Sequence, residues 1–181
     1  TVGEYQNILF LEAARMMKFQ HPSDVLFVLV SYLPVPGKIG EMKTKPTQYA
    51  SRTLNSAGIQ TDFIVCRSEQ SIDDKRREKL AVFCNIDKEA AIAAPDVDSV
   101  YEVPVNFVKD KFDLKILRRF GLKPRTKDLR NWTAFVNKTR RLQKPVKIGI
   151  VGKYFGTGDF ILADSYISVI ESLKFAAWAN N

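Results

Sequence analysis

Six consecutive apolar residues, Val25-Leu26-Phe27-Val28-Leu29-Val30, constrain the fold of this chain more than any other stretch. Four of the six are β-branched or aromatic, and no polar residue alternates with them. A strand apolar on both faces belongs inside a parallel sheet covered by helices on both sides. The run is far too short to span a bilayer. It predicts a strand opening at Asp24 and, with it, an α/β fold. Pro34, Pro36 and Gly37 then break the strand into a loop over residues 31–42. That loop delivers the chain to Lys43-Thr44-Lys45-Pro46-Thr47-Gln48.

The hexapeptide reads as an anion-binding turn. Pro46 biases Lys45 away from the α region and suits the first position of a helix, with Thr44 or Lys45 near the cap. Thr47 and Gln48 then fall in the first turn, where free backbone N–H groups and the helix dipole favour negative charge. Lys43 and Lys45 can aim two ammonium groups at one phosphorylated ligand if the segment is extended. The Gln48 amide both donates and accepts, which suits a base edge or a sugar hydroxyl. On composition alone, a Lys-rich loop capping an ordinary helix accounts for the same residues.

The rest of the chain alternates in the same way. Residues 7–19 carry Leu9, Phe10, Ala13, Met16 and Met17 at helical intervals, and the helix should stop before Pro22. A helix over 47–57 closes at Gly58. Residues 63–66 form a short buried strand, with Arg67 and Ser68 at the carboxyl end where open α/β sheets place ligands. Ser71 and Asp74 form a plausible cap for a helix over 73–83. Its inward side should carry Leu80, Ala81 and Phe83, and its outward side Asp73, Lys75, Arg76 and Arg77. A third strand covers 91–94, and residues 100–103 end the unit before Pro104. Two helical pieces follow within 105–122, then a helix over 128–142. After Pro145, residues 146–151 read as a fresh buried strand and 163–178 as a fresh helix. The expected architecture is a mostly parallel sheet flanked by helices over 1–104, a helical basic linker over 105–145, and the opening β-α unit of a further α/β domain over 146–181.

Residues 101–147 hold 14 of the 28 Lys and Arg but 4 of the 20 Asp and Glu, so the basic excess belongs to one segment. Its aromatics, Phe107, Phe112, Phe120, Trp132 and Phe135, fall at helical spacing and read as core anchors. A solvated basic face is therefore expected there, not a nucleic-acid interface. Cys66 and Cys84 form no CxxC pair and read as buried thiols of a reducing compartment. His21 precedes Pro22 and is expected at the surface. No basic flank with an apolar core opens the sequence, so neither a secretory leader nor a membrane role is expected. Thr1 at the first position suggests a fragment or a processed form.

The ordered series of short stretches resembles the CTP synthase family. Lys43-Thr44-Lys45-Pro46-Thr47-Gln48 matches a near-signature of that family's UTP site. Thr1-Val2-Gly3-Glu4 and Phe10-Leu11-Glu12-Ala13 match upstream of it. Downstream follow Gly58-Ile59-Gln60, Ile64-Val65-Cys66-Arg67-Ser68, Phe83-Cys84-Asn85, Asp96-Val97-Asp98-Ser99-Val100-Tyr101 and Ile148-Gly149-Ile150-Val151-Gly152-Lys153-Tyr154. The match is weakest over 105–145. The resemblance implies an enzyme that phosphorylates the uracil 4-oxygen of UTP with ATP and Mg2+, then displaces that phosphate with glutamine-derived ammonia. It implies the carboxyl part of a P-loop-like amidoligase domain, a helical linker and the start of a flavodoxin-like class I glutaminase domain.

By the same resemblance, Lys43, Thr44, Lys45, Pro46, Thr47, Gln48 and Lys79 bind UTP. Glu4, Tyr5, Gln6, Lys43, Lys45, Gln48 and Lys79 bind the feedback inhibitor CTP, with Gln6 standing where the family carries an acid. Asp96 and Val97 lie where the family holds the adenine of ATP, through backbone groups. A cytoplasmic homotetramer responding to GTP is the family pattern. The phosphate loop and the metal-binding acids are expected outside this chain, as is the glutaminase nucleophile. No residue here is expected to be catalytic or to bind metal, and the chain alone should be inactive. The alternative reading is a non-catalytic module that binds nucleotides or polyanions.

Overall fold

A computed structural model describes residues 2–37, 40–125, 128–141, 144–154 and 163–180. The chain forms two compact units, Thr1–Lys127 and Asp128–Asn181. The first is built on three parallel strands in the order β1 (Val28–Tyr32), β2 (Phe63–Ser68) and β3 (Ala91–Pro95). Val28 pairs with Phe63, and Ile64 with Ala91, so all three carboxyl ends meet at one edge. Parallel strands require crossovers, and helices supply them. The α/β expectation holds in this form.

The two sheet faces have separate cores because successive side chains alternate. On one face Leu29, Ile64, Cys66, Ala91 and Ala93 meet Leu54 of α2 (Lys45–Ser56) and Leu80 and Cys84 of α3 (Asp74–Cys84). On the other, Phe63, Val65 and Ile92 are covered by α4 (Val103–Lys109) and α5 (Phe112–Arg119). Phe112 sits edge-on to Phe63 at 5.4 Å and to Phe107 at 5.3 Å. These apolar anchors need cover, so residues 103–119 lie on the sheet. The compact unit built on this sheet therefore includes α4 and α5. Residues 100–103 follow β3. They form a 3₁₀ turn, Val100–Glu102, leading into α4.

The run from Val25 departs from expectation. β1 begins at Val28, because the Phe27 carbonyl accepts from Asp62 N and Phe63 N, while Phe27 N donates to Asp62 Oδ2. β1 is an edge strand among the described residues, not an interior one. Helices α4 and α5 stop at β2 and β3, so Val28 and Val30 are 42% and 60% exposed. Helix α1 (Ile8–Gln20) ends before Pro22 as the sequence requires, and Leu11 reaches the core. Leu9, Phe10, Met16 and Met17 are exposed, so most of the apolar stripe at helical spacing is uncovered here.

Helix α2 ends at Ser56, and Gly58 takes φ +75° as its closing residue. A Cβ there would also lie 2.8 Å from Arg15 Cδ, so both backbone and neighbour favour glycine. In α3 the cap is Asp73, whose carboxylate accepts from Arg76 N at 2.9 Å, and not Ser71 or Asp74. Burial alone would push Asp73 up, but the Arg76 backbone N–H and guanidinium outweigh it and hold the carboxyl below its ordinary value. Leu80 and Cys84 are buried, whereas Phe83 is exposed. Arg76 and Arg77, expected outward, are half-buried. Arg77 donates to Asp110 at 3.0 Å and to the Ala91 carbonyl, and Asp110 also accepts from Ala93 N at 2.6 Å. Unpaired cations near a core are costly, and these carbonyl and carboxylate partners make the inward turn tolerable.

The second unit contains α6 (Arg130–Arg141) and α7 (Ile167–Asn180). Trp132, Phe135, Phe175 and Trp178 form one aromatic cluster, with Phe135 and Trp178 centroids 5.6 Å apart. Residues 144–152 are neither helix nor strand. The buried strand expected over 146–151 is not formed. No neighbouring strand among the described residues supplies a ladder, and Val146, Ile148 and Val151 are exposed.

Candidate functional site

The carboxyl edge of the sheet gathers the candidate residues. Ser68 Oγ donates to the Leu33 carbonyl at 2.8 Å, and Leu33 N donates to the Arg67 carbonyl at 2.7 Å. These bonds fix where the chain leaves β1. Lys43 N donates to the Pro34 carbonyl at 2.9 Å and closes the intervening loop. The chain then enters α2 with Thr44 as cap, Lys45 first in the helix and Pro46 second.

Thr44 has helical backbone angles, φ −95° and ψ −12°, so the Lys43–Lys45 segment is not extended. Both lysines nevertheless line one cleft of about 310 Å³, because α3 faces them across it. The cleft is bounded by Glu41, Met42, Lys43, Thr44 and Lys45 on one side and by Lys75, Arg76 and Lys79 on the other. Lys75 and Lys79 stand four residues apart on α3 and share a face. Five cations thus surround one concavity beside the start of a helix, where free N–H groups also favour an anion.

Glu41 is the acid in this cleft. Its carboxylate lies 2.6 Å from Lys43 Nζ and 3.4 Å from Arg76 Nη2. The Lys43 ammonium beside it holds the Glu41 carboxyl below its ordinary value.

Thr47 and Gln48 act differently from expectation. The Thr47 side chain is fully buried, and its hydroxyl is 2.8 Å from that of Ser31. That bond ties α2 to β1, and full burial leaves the Thr47 hydroxyl closed to a ligand. Gln48 Nε2 donates to Thr44 Oγ1 at 3.0 Å, which braces the cap. Lys43, Thr44, Lys45 and Lys79 come together in the cleft; Pro46, Thr47 and Gln48 do not line it.

The remaining candidates lie apart. Asp96 N donates to the Ser68 carbonyl at 2.8 Å, and Arg67 Nη2 is 3.5 Å from Asp96 Oδ1. Asp96 and Val97 therefore follow the carboxyl end of β3, on the same sheet edge as the cleft. Glu4, Tyr5 and Gln6 precede α1, are exposed and do not line the cleft. Among the described residues, no three His, Cys, Asp or Glu side chains converge as a metal would require.

Residues 1–122 match the sequence pattern of the family described as CTP synthase N-terminus. The chain belongs to the CTP synthase family. It is 45% identical over 183 residues to the CTP synthase of Symbiobacterium thermophilum, covering 100% of this chain and 33% of that protein. The CTP synthases of Thermococcus gammatolerans and Methanocaldococcus jannaschii are 44% and 43% identical, with the same coverage. The chain thus spans about a third of the length of the curated CTP synthases it matches.

Four cleft residues of this CTP synthase relative were not legible in the sequence: Glu41, Met42, Lys75 and Arg76. The signal was present in the three- and four-residue spacing of Lys75, Arg76 and Lys79 on one helix. It was outweighed because charged residues at such spacing ordinarily mark a solvated face.

Proposed function

We propose that this chain is a segment of a CTP synthase, and that its cleft at the start of α2 binds the triphosphate of UTP. The observation that carries this reading is the convergence of Lys43 and Lys45 with Lys79 around one concavity at the carboxyl edge of a parallel sheet. A nucleoside triphosphate needs several positive groups at fixed spacing, and helix N–H groups add short-range attraction. Clustered cations act together over distances within a Debye length, roughly 8 Å at physiological salt.

In this reading, Lys43, Lys45 and Lys79 neutralise phosphate oxygens, while Thr47 and Gln48 contribute through the first turn of α2. Glu4, Tyr5 and Gln6 would join Lys43, Lys45, Gln48 and Lys79 in holding CTP as an inhibitor. Asp96 and Val97 would hold adenine. When bound, ATP with Mg2+ supplies the phosphoryl group, and glutamine supplies the ammonia. The residues described here bind and orient substrate. The domain assignment remains the one the resemblance implies: amidoligase end over 1–104, linker over 105–145 and glutaminase start over 146–181. A cytoplasmic homotetramer with GTP as effector belongs to the same proposal. Among the described residues, no helix is long and apolar enough to cross a membrane.

The test is Lys43→Ala in the CTP synthase that carries this chain. The UTP concentration for half-maximal CTP formation should rise about tenfold or more, consistent with loss of one charge-assisted contact. Glutamine hydrolysis measured alone should not change. An unaltered UTP requirement would remove Lys43, and with it this reading of the cleft.

A further inference from the structure

The cleft has two walls, and a single side chain ties them together. Lys43 and Lys45 sit on the segment that follows the β1 loop; Lys75 and Lys79 sit on α3. Arg76 of α3 reaches across: its Nε donates to the Met42 carbonyl at 3.1 Å, one residue before Lys43. Its Nη2 is 3.4 Å from Glu41 Oε1, and its Nη1 pairs with Asp73, the residue that caps α3. The Arg76 side chain is 20% exposed, and Met42 belongs to the buried core, so the joint lies at the floor of the cleft.

We propose that Arg76 is a positioning residue for the nucleoside triphosphate, setting the distance between Lys79 and the Lys43–Lys45 pair. This inference rests on the UTP reading of the cleft. The chemistry favours position over charge. The guanidinium faces two carboxylates, Asp73 and Glu41, which offset its positive charge toward a ligand. Its planar fork is held on one side by the helix cap and delivers Nε to a backbone carbonyl in a fixed direction. A lysine in its place keeps the charge but lacks the fork. Without the clamp, two lysines on one wall and two on the other no longer share a defined spacing. Small displacements of that kind cost substrate affinity without touching the reacting atoms.

Arg76→Gln, Arg76→Lys and Lys43→Ala should be compared in the CTP synthase that carries this chain. Arg76→Gln should raise the KM for UTP about tenfold. At saturating UTP, kcat should be preserved, and glutamine hydrolysis and the KM for ATP should be unchanged. Arg76→Lys should recover less than half of the loss. The Arg76→Gln/Lys43→Ala double variant should be little worse than Lys43→Ala, because the clamp acts through that segment.

Full recovery by Lys, or strictly additive losses in the double variant, would mean that Arg76 contributes charge alone and would overturn the proposal. So would a joint fall of kcat and glutamine hydrolysis, which marks general damage to the fold. If Lys43→Ala raises the UTP requirement and Arg76→Gln does not, the clamp fails while the UTP reading stands. If neither variant changes it, the UTP reading fails and the clamp falls with it.

Discussion

In β2, Phe63, Ile64, Val65 and Cys66 are each at most 5% exposed; in β1, paired with it residue for residue, Val28 and Val30 face outward. The two strands are alike in sequence. Both open on an unbroken apolar stretch, Val28-Leu29-Val30 in β1 and Phe63-Ile64-Val65-Cys66 in β2. The difference is in their neighbours. β2 has a strand on each side and helices over both faces, whereas β1 has one strand partner and one covered face among the described residues. An apolar run states what a strand can tolerate. What it meets is decided by elements far away in the chain.

The strongest attempt to break this contrast is Ile64→Ala. It should cost about 2–5 kcal/mol, read from the midpoint of denaturant unfolding, because a fully buried side chain leaves a cavity between two packed layers. A loss below about 1 kcal/mol would mean that β2 is not the packed centre described here.

Cys66 sharpens the contrast through pH. Burial pushes its thiol from an ordinary value of 9.0 up to about 12. The folded state thus binds the proton more tightly than the unfolded state does. Its contribution is fully present below pH 9 and is lost as pH rises toward 12. By pH 10 the protein should have lost about 1 kcal/mol on this account. Cys66→Ala should flatten that part of the alkaline stability profile, and identical profiles would show that water reaches this part of β2.

The smallest effect is expected in β1. Val30→Thr should change stability by less than about 0.5 kcal/mol, since the side chain is 60% exposed. A cost near that of Ile64→Ala would mean that a further layer covers β1 in solution.

The same contrast explains what could be read from residues alone. The breakers Pro34, Pro36 and Gly37, the helix-opening Pro46 and the closing Gly58 act locally, so the loop, the start of α2 and its end were legible. β3 and the two helical pieces after it were legible for the same reason. The start of β1 was not, because Asp62, far along the chain, decides where pairing begins. Nor was the inward turn of Arg76 and Arg77, whose partners lie on other elements. At the candidate site, the Lys43–Lys45 wall and Lys79 were found from the hexapeptide and the resemblance. Lys75 and Arg76, beside Lys79 on the second wall, needed the fold, because only packing brings α3 against the β1 loop. Residues 146–151 carry a strand-like sequence and form no ladder, since pairing belongs to two segments at once.

The parallel pairing of β1 with β2 also carries a consequence in time. Ser68 reaches back 35 residues to bond the Leu33 carbonyl. A ribosome adding about 5–20 residues per second needs roughly 2–7 s to make that interval. Throughout it, the nascent β1 has no strand to join, and its apolar side chains are open to chaperones or to neighbouring chains. Helix α2, built from hydrogen bonds between near neighbours, can form during the wait; the sheet cannot. Slower translation between Leu33 and Ser68 would lengthen that exposure without altering a single residue of the finished protein.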